Sequence, residues 1–272
     1  MKIFRYIAAS FSDYSQIPVP RFYMDEEDQK YSLMFFPLIG VLIGFSEVVT
    51  YQLCRYFDLH HLAMIIIMVV IPVAMTGGVH ISGFMYTAEA IRSGKTREER
   101  LKMLSERHVG AFSVIRFISA MLVFAAAAMV IFDKGNYFVM LNVGVSFVFS
   151  RSLGGLLSFI LPQAQKKGKP DKESKRTAKI VVAVLFAWYI LALAAVFVID
   201  PQTALLTVAV YMGALILYRD MTDKEFDGVT PESAGYFITV SELCNIVLLA
   251  MLCLVDDQKY NKKMLAIKKT MC

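Results

Sequence analysis

The sequence predicts an all-α, polytopic integral membrane protein, and three observations carry that prediction. Of its 272 residues, 57% are hydrophobic and 19% charged, against about 45–50% and about 25% in soluble chains. The apolar residues come in blocks. Ile180 to Ile199 is an unbroken apolar run between Lys179 and Asp200, matching the roughly 20 residues that cross a hydrocarbon core. No segment alternates with period two over about 10 residues, which disfavours a transmembrane barrel. Helices remain, because lipid offers no partner to unpaired backbone groups. The expectation is a single transmembrane domain over residues 1–272: a bundle of about six to seven spans behind an N-terminal interfacial helix.

In chain order, residues 1–30 come first. Ile3, Ile7, Phe11 and Tyr14 repeat at helical spacing, which predicts an amphipathic segment lying on the membrane surface. Ser10, Ser12 and Asp13 interrupt any signal-peptide core, so no cleaved leader is expected. Seven candidate spans follow: Leu33–Leu53, Leu62–Met75, Ala111–Phe132, Tyr137–Leu161, Ile180–Ile199, Thr203–Tyr218 and Ala234–Val255. The second and sixth are short for a crossing. Between the second and third, Thr96 and Glu99 have capping-box spacing and predict a solvated surface helix. Residues 256–272 form a basic tail. The cysteines, Cys54, Cys244, Cys253 and Cys272, show no paired spacing and read as small packing residues.

Basic residues sort by connection. The segment before the first span and the 77–110, 162–179 and 219–233 connections hold four, six, seven and two Lys or Arg. The alternate connections hold only Arg55 and Lys134. The positive-inside bias makes the first set cytoplasmic. Five lysines after Val255 run against this pattern, since seven crossings put the tail outside. A miscounted span, a re-entrant last segment or dominance of the early loops would each account for it. The net charge of +5 therefore reflects orientation or attraction to the lipid bilayer, with steering of a phosphate substrate as the lesser alternative, and not a nucleic acid partner. No aromatic residues interleave the Lys166–Lys179 cluster as a single-strand platform requires.

The most informative segment is Thr76–Arg92, TGGVHISGFMYTAEAIR, which joins an apolar span to a charged loop. Ser82, Tyr86 and Glu89 fall at spacings of four and three and so share one helical face, with His80 near the same side. Ionisable residues also fall within spans or at their ends: Glu47, Arg116, Arg151 and Glu242. Such residues are costly in lipid and usually face a partner or a cavity. Arg116 reads equally as snorkelling to the interface or as functional, and Glu47 reads as structural. Arg151, within FSRSLGG, is expected to contact phosphate or to pair with a carboxylate. No Walker A loop, G-x-G-x-x-G or H-E-x-x-H occurs, which disfavours an ATP-driven pump, a dinucleotide enzyme and a zinc protease.

Five segments, in order, resemble the adenosylcobinamide-GDP ribazoletransferases, or cobalamin synthases, of vitamin B12 assembly. They are Tyr14–Pro20 (YSQIPVP), Phe35–Gly44 (FFPLIGVLIG), Thr76–Ala90, His108–Phe112 (HVGAF) and Phe226–Glu242 (FDGVTPESAGYFITVSE). The third is similar to the family's T-G-G-x-H-x-D-G-x-x-D-T-x-D and the last to F-G-G-x-T-G-D-x-x-G ending in Glu. The resemblance runs over nearly the whole chain. It implies Mg²⁺-dependent phosphoryl transfer at the cytoplasmic face of a bacterial inner membrane. GDP-activated cobinamide is joined to α-ribazole or its 5′-phosphate and GMP is released. Corrinoid and ribazole are then the substrates, and a homo-oligomer is compatible with the pattern.

Carried over residue by residue, the resemblance implies catalytic roles for His80, Glu89 and Glu242. It implies substrate contacts from Gly77, Gly78, Ser82, Tyr86 and Thr230, and Mg²⁺ ligation by Glu89, Glu232 and Glu242; Arg151, outside the matched segments, joins the expected substrate contacts on its intramembrane position alone. The chain departs from the family at three aspartate positions, where it has Ser82, Tyr86 and Glu89, and at Pro231-Glu232, where the family has Gly-Asp. Ser82 and Tyr86 are neutral at pH 7 and cannot replace two charges around a divalent cation. Two readings follow: a transferase with a reduced Mg²⁺ site, or a catalytically impaired relative that binds or transports corrinoid. The secondary-transporter reading is weakened by the lack of an internal repeat.

Overall fold

The computed structural model describes residues 2–20, 25–164 and 172–270, without the side chains at 26, 27, 30, 172–174 and beyond 257. Cys272, the lysines from Lys166 to Lys169 and the tail's lysine side chains lie outside what it describes. Among the described residues eleven α-helices form, and several of them open on a side-chain cap. α1 spans Lys2–Tyr14 and α2 Glu26–Ser32, the latter opened by a capping box in which Asp25 accepts from the Asp28 backbone. A 3₁₀ turn, Leu33–Phe35, leads into α3 (Phe36–Tyr56). α4 is His61–Thr76, α5 Val79–Arg92 and α6 Arg97–Ser105. The remaining helices are α7 (Ala111–Lys134), α8 (Tyr137–Ile160), α9 (Lys172–Ile199), α10 (Pro201–Phe226) and α11 (Pro231–Thr270).

Among the described residues six helices are long and apolar enough to cross a membrane, and α4 with α5 makes a seventh candidate bent by 90°. This agrees with the predicted all-α, six-to-seven-span bundle. α8 is its axis: 78% of its apolar window is buried within the protein. It meets α3 through small residues. A β-carbon on Gly40 would lie 2.4 Å from the Phe147 carbonyl oxygen, and one on Gly44 2.3 Å from that of Gly144. Only glycine lets two backbones approach this closely, as in membrane helix pairs generally.

Backbone and side-chain pairs sort the connections to two ends. At one end, Gln16 N–H donates to the Met75 carbonyl over 2.9 Å, Arg100 pairs with Glu225, and Gln163 pairs with Val229 through the backbone. The basic connections meet there. At the other end, His61 Nδ1 lies 2.9 Å from Asp133, and Lys134 Nζ lies 2.7 Å from Asp257. The Lys134–Asp257 pair brings Asp257 of α11 level with the end of α7. The apolar stretch of α11 therefore runs the full length of the bundle.

Two elements differ from expectation. The sixth span, expected over Thr203–Tyr218, belongs to a helix ending at Phe226. The helix continues because its polar last turns dock under α6, where hydropathy has no signal. α1 does more than lie on a surface: Tyr6 and Phe11 are buried, and the Tyr6 ring stacks on Tyr31 at 4.9 Å. Ile3, 66% exposed, is left on its outer side.

The predicted surface helix is α6, with its capping box in place: Glu99 N–H donates to Thr96 Oγ1 and Thr96 N–H to Glu99 Oε2. The Thr96 backbone and side-chain hydrogen bonds hold the Glu99 carboxyl below its ordinary range. A depressed carboxyl stabilises above its unfolded pKa and loses that contribution as pH falls through the folded value. Thr96→Ala is expected to destabilise α6 by about 0.5–2 kcal/mol. Amide hydrogen exchange confined to Arg97–Ser105 would read the loss; unchanged protection there would contradict it.

Candidate active site at the basic end of the bundle

The site is built around a bend. α4 closes on Gly77 (φ +61°) and α5 opens on Gly78 (φ +71°), both left-handed, a conformation glycine adopts at little cost. The chain turns there and places His80 in the first turn of α5. His80 is buried, its ring 5.2 Å from that of Phe36, and its Nε2 has no hydrogen-bond partner.

α5 is held against α11 by two facing glycines. A β-carbon on Gly83 would sit 2.6 Å from the Glu232 carbonyl oxygen and 3.1 Å from Gly235 Cα; one on Gly235 would sit 3.0 Å from the His80 carbonyl oxygen. These contacts explain both glycines of the two motifs. They set His80 at a fixed distance from α11.

Arg151, 1% exposed, projects from α8 into the same region. Its Nη1 donates to Glu242 Oε1 at 2.6 Å, to the Phe147 carbonyl at 3.0 Å and to Ser150 Oγ at 3.2 Å. Ser150 Oγ also donates to Glu242 Oε1 over 2.5 Å. The guanidinium lies 5.9 Å from the Phe36 ring centre and 5.6 Å from that of Phe147. Phe36 therefore touches both His80 and Arg151. Between His80, Arg151, Thr239 and Glu242 is a cavity of about 40 Å³, enough for an ordered water. Of the two roles expected of Arg151, the structure shows the carboxylate pairing.

On the other side of His80 opens a larger cleft of about 280 Å³, bounded by the end of α1, the starts of α3 and α11, and the end of α8. Tyr14, Phe36, Gly154, Gly155, Ser158 and Thr230 line it with His80. The Tyr14 and Phe36 ring centres are 4.7 Å apart. Burial first, and then the charge of Asp13, push the Tyr14 phenol up to about 12, so it is neutral at physiological pH.

The other residues singled out from sequence separate into distinct environments. Ser82 Oγ donates to the Val79 carbonyl within α5. Tyr86 packs against the small cluster of Ala90, Met103, Leu104 and Phe226 that docks α6. Glu89 receives the Ser113 N–H at 2.9 Å. It thus caps α7, whose dipole favours an anion there. Gly110 makes room for it: a β-carbon would lie 2.4 Å from Glu89 Oε1. Thr230 caps α11, its Oγ1 accepting the Ser233 N–H and its own N–H donating to Ser233 Oγ. Glu232 is half-buried on the first turn of α11. Glu47 is buried, and neither of its carboxyl oxygens has a partner.

The expected Mg²⁺ ligands do not come together. Glu89 is committed to the α7 N-terminus and Glu242 to Arg151, leaving Glu232 on its own. Among the described residues, no group of three or more His, Cys, Asp or Glu can hold a metal ion. The three glutamates do not fit a shared Mg²⁺ site. The structure does bring His80, Arg151 and Glu242 around one cavity, with Gly77, Gly78 and Thr230 close by. Sequence reasoning missed Tyr14, Phe36, Gly154 and Gly155 as site residues. Tyr14 and Phe36 nonetheless lie inside YSQIPVP and FFPLIGVLIG, so those motifs carried the signal.

Residues 6–251 match the cobalamin-5-phosphate synthase family. The chain is 27% identical over 245 residues to the adenosylcobinamide-GDP ribazoletransferase of Lachnoclostridium phytofermentans, covering 89% of this chain and 92% of that one. It is 27% identical over 259 residues to the enzyme of the same name from Clostridium perfringens strain SM101, covering 93% and 100%. With that of Shewanella pealeana it shares 26% over 258 residues, covering 90% and 94%. No solved structure matches the chain. The family match reaches every crossing helix and includes both glycine-bearing motifs that meet at His80, and the chain belongs to the cobalamin-5-phosphate synthase family.

Proposed function

We propose that the chain joins adenosylcobinamide-GDP to α-ribazole or its 5′-phosphate and releases GMP. The reaction is assigned to the end of the bundle where the basic connections meet, facing the cytoplasm of a bacterial inner membrane. The observation that supports this most is the placement of His80. It stands between the enclosed Arg151–Glu242 pair and an open cleft, and its Nε2 is not used by the protein.

In the transfer, a ribose hydroxyl oxygen forms a new bond to phosphorus, the bond from phosphorus to GMP breaks, and the hydroxyl proton leaves. His80 Nε2 is the acceptor for that proton, a role in which a positioned imidazole contributes about 10²–10⁴-fold. Arg151 and Glu242 fix the wall behind His80 and exclude bulk water. Among the described residues the carboxylates do not assemble a Mg²⁺ site; any Mg²⁺ requirement enters with the GDP diphosphate, an oxygen-rich ligand that suits it.

Ser82 and Tyr86 at acidic positions of the family pattern, together with a Glu89 spent on capping α7, support a second reading in which corrinoid binding outlasts turnover. GMP release by the purified protein in detergent separates the two. The transferase reading expects release only when both substrates are present. Bound adenosylcobinamide-GDP without GMP release at any Mg²⁺ concentration would favour the second. Substrate counterflow in liposomes would instead indicate a transporter.

A further inference from the structure

We propose that the cleft between Tyr14, Phe36 and the first turn of α11 is the subsite for the acceptor nucleoside, taking its flat bicyclic base and ribose and presenting a hydroxyl to His80. This rests on the transferase reading and assigns one of its two substrates to a place. Three properties of the cleft select the acceptor over the donor.

The first is charge. Among the described lining residues there is no Asp, Glu, Lys or Arg. A diphosphate is bound through charge-assisted hydrogen bonds from such cations, and this cleft offers none; the base and ribose of the acceptor are neutral and need none, and a 5′-phosphate on it would lie outside the cleft. The second is size. At about 280 Å³, the cleft sits near the lower end of the roughly 300–1,000 Å³ range of small-molecule sites. A corrinoid macrocycle carrying a nucleotide is several times larger. The third is surface. Tyr14 and Phe36 supply aromatic rings, while Gly154, Gly155 and Gly235 contribute backbone without side chains. That combination fits a planar ring system.

Polar groups occur where a ribose would need them. Ser158 lines the cleft, and its Oγ donates to the Gly154 carbonyl at 3.1 Å, which leaves Oγ able to accept. His80 Nε2, buried and unpartnered, gains the hydrogen bond it lacks when a hydroxyl donates to it.

The test is equilibrium binding of α-ribazole alone to the purified full-length protein in detergent, with two cleft-filling variants, Ala234→Leu and Ser158→Leu. Unfolding temperatures are measured alongside, so that either variant that folds carries the result. Wild-type protein is expected to bind α-ribazole. A folded variant is expected to weaken that binding by at least about tenfold while adenosylcobinamide-GDP binding stays within about twofold. α-Ribazole binding unchanged in a folded variant, loss of donor binding instead, or no α-ribazole binding by wild type would each overturn the assignment. Binding of α-ribazole that the variants lose, without GMP release by wild type, upholds the subsite and removes the transferase reading, so the two failures are distinguishable.

Discussion

Arg151→Met is expected to destabilise the protein by about 3–5 kcal/mol, the cost of leaving one partner of a buried ion pair uncompensated. The geometry places this pair in the costly class. Arg151 is almost wholly buried and the Glu242 side chain is 15% exposed, so neither charge is solvated as a surface pair would be. Glu242→Met is expected to cost a similar amount, because the guanidinium then keeps only the Phe147 carbonyl and Ser150 as neutral partners. Replacing both residues by methionine is expected to recover most of the loss, since two apolar side chains of similar volume leave no buried charge. Unfolding in detergent measures all three variants. Single losses below about 1 kcal/mol, the range of exposed pairs, would mean that the pair is hydrated. The double variant is expected to stay poorly active even when stable, because the wall behind His80 has lost its polar groups.

Gly83→Val is the second large effect. The new side chain would start 2.6 Å from a backbone oxygen of α11, which cannot swing away as a side-chain end would. α5 and α11 must separate, and His80 moves with α5. A catalytic group displaced by about 1 Å costs on the order of 10²-fold, so turnover is expected to fall at least that far and the unfolding temperature to drop. Gly78→Ala provides the contrast. No atom lies within 4 Å of a β-carbon there, and only the positive φ opposes the change. Its expected cost is about 1–2 kcal/mol. Equal effects at the two positions would show that the glycines serve the bend alone and not the contact between α5 and α11.

The fold was legible because burial in lipid leaves a strong trace. The start of α7 at Ala111 and of α8 at Tyr137 can be read from the first apolar residue after a break, and the structure places them there. The end of α10 was not legible, since Arg219 to Phe226 leave the apolar run but continue the helix against α6. The bend at Gly77-Gly78 was visible as a pair of glycines, but its angle depends on α5 finding Gly235.

The site was legible in part. His80 and Arg151 stood out as ionisable groups at span ends. The partners of Glu89 and Glu242 did not, because a carboxylate's sequence position does not reveal whether a helix N-terminus or a guanidinium reaches it first. The cleft was the least visible feature. It draws Tyr14, Phe36 and Ser158 from three distant segments, and only the packing of α1 onto the start of α3 makes them neighbours.

The central claim is that reaction occurs at the His80 cleft, and kcat for GMP release by His80→Ala tests it most directly, read beside the unfolding temperature of the same preparation. The predicted result is a fall in kcat of about 10²–10⁴-fold with the fold intact. A stable His80→Ala protein that releases GMP at the wild-type rate would contradict it.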